Sequence, residues 1–192
     1  MEEHRIKSAW EIAQEKIASM PELTSDELRR QKEREFEPIG EAIAKKYLGG
    51  AIRATELKTE FSKYRGAEGQ IVKRALISCL VQSIEPGDAA GSKRAMEGLQ
   101  IFTGPNSRFA EARDAFEKIA SEFEGKVLQQ RKAFEALERE KLKKLGISGS
   151  AIRPNVNENQ DWQQVQSKIR QSYDVKVNKL RKDLMQLIEV AS

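Results

Sequence analysis

Apolar residues recur at steps of three and four through most of the chain, the period of an amphipathic helix, and no stretch alternates for long enough to read as a strand. The longest such run is C-terminal. Phe109, Ala112, Phe116, Ile119 and Phe123 step by 3, 4, 3 and 4, and Val177, Leu180, Leu184, Leu187 and Ala191 do the same. This is the spacing of a coiled-coil seam. It predicts two long helices, 107–145 and 161–191, folded back on each other across a loop at 146–160. Beyond Phe123 the stripe continues through Val127, Phe134, Leu137 and Leu145 out of strict heptads, and the second helix opens on Trp162, Val165, Ile169 and Tyr173. Phase insertions of that kind unwind a supercoil, so the pattern predicts a nearly straight antiparallel hairpin. A helix over 107–145 is about 58 Å long. Gly146 suits the end of the first helix, and Asp161 with Gln164 has the form of a capping box opening the second.

Shorter helical patterns precede this pair. Residues 5–19 place Ile6, Ala9, Trp10, Ala13 and Ile17 on one face, with Trp10 expected as a core anchor. Thr24-Ser25-Asp26-Glu27 is a capping box that opens a highly charged helix at 25–36. Pro38 is read as the start of a separate helix, 38–48, with Gly49-Gly50 at its end. A helix at 52–64 turns Ile52, Leu57, Phe61 and Tyr64 inward, and Gly66 and Gly69 break it. The most apolar helix, 69–84, carries Ile71, Val72, Ala75, Leu76, Cys79, Leu80 and Ile84. Glu85-Pro86-Gly87-Asp88 is a turn by composition. A helix at 89–102 then offers Ala95, Met96, Leu99 and Phe102. The fold class expected is all-α: a small helical head domain, 5–103, carrying a coiled-coil-like hairpin arm, 107–191.

Composition supports an extended helical protein. Charged residues make up 33% of the 192 and apolar ones 39%, with only 12 Gly and 5 Pro, which is too apolar and too periodic for general disorder. No run approaches the roughly 20 apolar residues that cross a bilayer. Glu2, Glu3 and His4 at the N-terminus are followed by no apolar signal core, so a cytoplasmic protein with no membrane partner is expected. The single Cys79 lies in the apolar run Ile77-Ser78-Cys79-Leu80-Val81 and reads as a small core residue.

Charge changes the picture more. The formal net charge is +4, but residues 126–182 hold 14 Lys and Arg against 6 Asp and Glu, while 1–125 hold 20 against 22. The positive charge therefore sits on the distal part of the predicted arm. Within 168–182 only Asp174 opposes six basic residues: Lys168, Arg170, Lys176, Lys179, Arg181 and Lys182.

The loop at 146–160 is the second candidate. A helical hairpin closes with a few residues, and this loop is far longer, with Ile147, Ile152 and Val156 costly to expose. Two readings stay open. These residues, with Arg153, form a partner-docking tip, or the loop folds back and caps the hairpin's core. Gly146, Gly149 and Ser150 do not make a phosphate loop, because no strand precedes them and the characteristic lysine is missing.

Catalytic raw material is scarce. One histidine leaves no room for a Ser-His-Asp triad, a Cys-His pair or the histidine-rich zinc and di-iron motifs. Glu33, Glu37 and Glu41 recur at i,i+4 but have Lys and Arg neighbours, so ion pairing is expected of them. The expectation is a non-enzymatic interaction or scaffolding protein without a cofactor. Its partner is an acidic or amphipathic protein, or a second copy, met through the basic arm and tip loop. The alternative is sequence-independent nucleic-acid binding through 168–182. A ligand pocket around Tyr47, Tyr64 and Cys79 is a third reading that no motif supports.

Overall fold

The computed structural model describes residues 8–18, 24–147, 149 and 154–190. Seven α-helices and one 3-10 turn account for nearly all of them, and no strand occurs among the described residues. The helices are α1 (Ala9–Ala18), α2 (Ser25–Leu48), α3 (Ala54–Ser62), α4 (Gly66–Gln82), α5 (Ala89–Thr103), α6 (Ser107–Lys144) and α7 (Gln160–Val190), with the 3-10 turn at Val156–Glu158.

Local signals fix most helix ends. At α2 the Thr24 hydroxyl accepts from the Glu27 backbone N–H at 3.3 Å, while the Glu27 carboxylate accepts from the Thr24 N–H at 2.8 Å. The backbone N–H of Thr24, and after it the Thr24 hydroxyl donating to the same carboxylate at 2.9 Å, hold the Glu27 carboxyl below its ordinary pKa. Asp88 caps α5 by accepting from the Gly91 N–H at 2.9 Å, and Asn106 caps α6 by accepting from Arg108 at the same distance. Gly146 ends α6 with φ +78°, a conformation that costs glycine nothing. The cap of α7 lies two residues before the expected one at Asp161: Asn159 accepts from the Asp161 N–H at 2.9 Å.

Pro38 does not start a helix; it lies inside α2. Its ring removes the backbone donor to the carbonyl of Arg34 one turn earlier, and both residues are exposed. Packing offsets the remaining cost. The second half of α2 buries Gly40, Ile43, Ala44 and Tyr47 against α4 and its neighbours. A Cβ on Gly40 would collide with the Val72 carbonyl and lie 2.8 Å from Ala75 Cβ. The two helices therefore cross at near backbone contact. Gly69, expected to break a helix, sits within α4, where a Cβ would come 2.8 Å from the Tyr64 carbonyl oxygen.

One continuous core joins the short helices to α6 and α7. It contains Tyr47, Leu57, Val72, Leu76, Leu80, Ile84, Ala95, Met96 and Leu99 together with Phe109, Phe116, Ala120, Val177, Leu180, Leu184 and Ile188. Hydrophobic burial thus runs across the break at 103–107. Phe61 and Phe102 add an edge-on ring pair at 5.4 Å. The Tyr47 hydroxyl donates to the Arg94 carbonyl at 3.1 Å; burial pushes its pKa up, with Glu97 adding to the shift. Cys79 is half-buried and its thiol pKa is likewise raised by burial.

Helices α6 and α7 meet through Glu122 and Lys176, Phe123 and Tyr173, and Phe134 and Trp162. Positions fall on one helix as they rise on the other, an antiparallel order. After Phe123 the half-buried positions on α6 are Val127, Gln130, Phe134, Glu135, Glu138 and Leu142. Leu137 and Leu145, expected in the stripe, are 58% and 75% exposed. The phase passes through the polar Gln130 and leaves both leucines on the outside.

Trp10 also departs from expectation. It is 67% exposed, with Ile12 at 53%. At the start of α1, Ser8 and Glu11 exchange hydrogen bonds of 2.8 and 3.2 Å in a reciprocal cap. The Ile6 and Ala191 positions, and the Ile17 side chain, lie outside the described residues.

Candidate functional site

The six cations of 168–182 separate by helical geometry. Lys168, Lys179 and Lys182 fall with Val175 on one strip of α7, within about 60° at roughly 100° per residue. All four are exposed, Val175 to 72%. None of the three lysines forms an ion pair with a described residue. The rest of the strip, Gln164, Gln171, Ser172 and Gln186, is polar and exposed, and Asp161 at the start of α7 is an exposed carboxylate on it. Asp174 is half-buried and lies off it.

The other three cations are spent inside the molecule. Arg181 Nη2 donates to the Gln82 and Ile84 carbonyls at 2.9 and 2.8 Å, where α4 ends and its last carbonyls lack helical partners. A cation there also complements the helix dipole. Arg170 reaches Glu85 in the following turn at 2.5 Å. Lys176 donates to Glu122 on α6 at 2.9 Å and lies 4.7 Å from the Tyr173 ring centre. The hydrogen bond from Lys176 lowers the Glu122 pKa, and the same bond raises that of Lys176. This surface pair therefore contributes between the two pKa values. It is lost as pH falls through the lowered carboxyl value or rises through the raised lysine value.

Arg181 therefore acts in stability. Replacing it with methionine keeps the stem but leaves two carbonyls without their charged donor, and should cost about 2 kcal/mol. Urea denaturation of the variant checks this, and an unchanged midpoint would show that water replaces the guanidinium. The turn it grips is closed from within by Ser92, fully buried, whose hydroxyl accepts from the Glu85 N–H and donates to the Glu85 carbonyl, both at 2.8 Å.

The loop candidates separate too. Val156 is 2% exposed and Trp162 is equally buried, so Val156 packs inward near the start of α7. Ile147 is 50% exposed and follows the exposed Leu145. Ile152 and Arg153 lie outside the described residues, as does Ser150. Arg131 and Lys141 are engaged along α6 with Glu135 and Glu138 at 3.1 and 2.8 Å, whereas Lys143 and Lys144 are exposed beside Leu145.

Ion pairs also occupy the carboxylate row of α2. Arg74 lies 3.6 Å from Glu33 and 3.4 Å from Glu37, and Lys45 is 3.1 Å from Glu41. Among the described residues no cluster of three or more His, Cys, Asp or Glu side chains is arranged to hold a metal ion. No helix among them is long and apolar enough to cross a membrane. Comparison of the chain with protein-family models, with curated proteins and with solved structures finds no match.

Proposed function

We propose that this is a non-enzymatic interaction protein in which a helical head, 5–103, carries α6 and α7 as a hairpin arm. The arm meets an acidic or amphipathic protein partner. The contact face is the outer strip of α7, Lys168, Val175, Lys179 and Lys182, continued at the far end of α6 by Leu145, Ile147 and the 146–160 loop. The observation that carries this reading is the row of three lysines without internal partners around an exposed valine. Lysines left without carboxylates keep a field available to an acidic partner. The valine favours protein over nucleic acid, because a phosphate backbone has no apolar group to receive it.

Two variants test this. Lys168→Glu/Lys179→Glu/Lys182→Glu should lose the proteins that the wild-type chain enriches, by tenfold or more in quantitative mass spectrometry. Ile152→Ala/Arg153→Ala should also lose them with helicity unchanged, and unaltered enrichment would remove the loop from the contact face. Duplex DNA titrated at several salt concentrations covers the alternative. Tight binding with a steep log–log salt slope, abolished by the triple change, would replace the protein reading with the nucleic-acid one.

A further inference from the structure

The groove between α5 and α6 has the chemistry to receive the lysine strip of α7, and we infer that the partner at that strip is a second copy of this chain. This inference rests on the strip being the contact face. The groove holds a cavity of about 380 Å³ floored by Met96, Phe116 and Ala120. Glu97, Glu117 and Glu124 line its rim, exposed, and none forms an ion pair with a described residue. Two cations also line it, Lys93 and Arg113, but Arg113 already lies 3.6 Å from Asp114. Three carboxylates thus face one uncompensated lysine around an apolar floor.

The α7 strip is the complement. Val175 is an apolar knob, and Lys168 and Lys182 lie seven residues to either side of it, about 10.5 Å along the helix each way. Glu117 and Glu124 are also seven residues apart, giving the rim the same axial repeat. The Glu117–Glu124 spacing is half the Lys168–Lys182 span, so a valine seated midway between the two carboxylates puts Lys179, about 6 Å along, level with one of them and leaves Lys168 about 5 Å beyond the other. Lysine's flexible four-carbon stem takes up what remains. Knob and groove are different surfaces of one chain, so the contact is head-to-tail. It closes as a dimer if a two-fold axis seats both strips at once, and otherwise continues as a chain.

Sedimentation equilibrium of the full chain tests this, from about 5 to 500 µM at 50 and 300 mM salt. Concentration-dependent self-association is expected, weakened about tenfold or more at the higher salt as rim charges are screened. Lys179→Glu/Lys182→Glu and Glu117→Lys/Glu124→Lys should each be monomeric alone, with unchanged circular dichroism, and should associate when mixed. That rescue is the supporting result, because loss of fold cannot produce it. A wild-type chain monomeric throughout would overturn the inference, as would association untouched by the glutamate changes. A monomeric wild type whose partner enrichment still depends on the lysines would leave the proposed contact face standing and sink only the second copy.

Discussion

Replacing Gly40 with leucine should lower stability by about 3 kcal/mol or more, since inserting bulk into a packed crossing costs 1–3 kcal/mol and sometimes more. A Cβ alone at this position collides with the Val72 carbonyl and lies 3.0 Å from the Leu76 nitrogen. Both obstacles are backbone in the centre of α4, so no rotamer change relieves them. The helices must separate, uncovering Ile43, Ala44, Leu76 and Leu80. For a domain of ordinary stability this is a large share of the total. Gly125 is the control. It lies in α6 with nothing within 4 Å of its would-be Cβ, so Gly125→Ala should stabilise by about 0.5–1 kcal/mol. Urea melts followed by circular dichroism report both, and a Gly40→Leu midpoint equal to wild type would refute the close crossing.

Leu184→Ala should cost about 2–5 kcal/mol, the range for removing a fully buried leucine without collapse of the cavity. Leu184 is 0% exposed and shares its core with α4 and α6. Truncating it should lower the midpoint of one cooperative transition that takes α2 to α5 and α7 together. Trp162→Ala removes a larger side chain, also buried, whose ring partner is Phe134 at 6.0 Å. Neither residue belongs to the continuous core. That change should act locally, raising hydrogen exchange near 130–170 while the protection of α4 stays close to wild type. Exchange rising equally in α4 would mean the far part of α6 and α7 does not open separately.

Much of the helical skeleton was legible from periodicity and caps. Thr24 and Glu27, Gly146, and the heptad run from Phe109 to Phe123 announce local structure through local chemistry. What escaped depends on distant contacts. Pro38 looks like a boundary until the Gly40 crossing is seen to hold α2 together through it. Trp10 marks a face that needs cover, but periodicity says nothing about what covers it. Periodicity places Leu137 and Leu145 in a stripe whose true phase runs through Gln130, a residue that no hydrophobic pattern selects. The basic cluster shows the same limit. Counting charge finds six cations in 168–182, but the partners of Arg170, Arg181 and Lys176 lie 54 to 99 residues away in sequence. Helical phase alone would have grouped Lys168, Lys179 and Lys182 with Val175; the structure adds that the other three cations are engaged.

Small-angle X-ray scattering from the monomeric Lys179→Glu/Lys182→Glu chain, with mass fixed by light scattering, tests the arm most directly. A compact 192-residue globule has a radius of gyration of about 16 Å, hence a largest dimension near 40–45 Å. Helix α6 alone is about 57 Å long. A largest dimension of about 60 Å or more, with the asymmetric distance distribution of a rod on a head, is expected. A symmetric distribution ending near 45 Å would contradict a projecting hairpin and the contact face it presents.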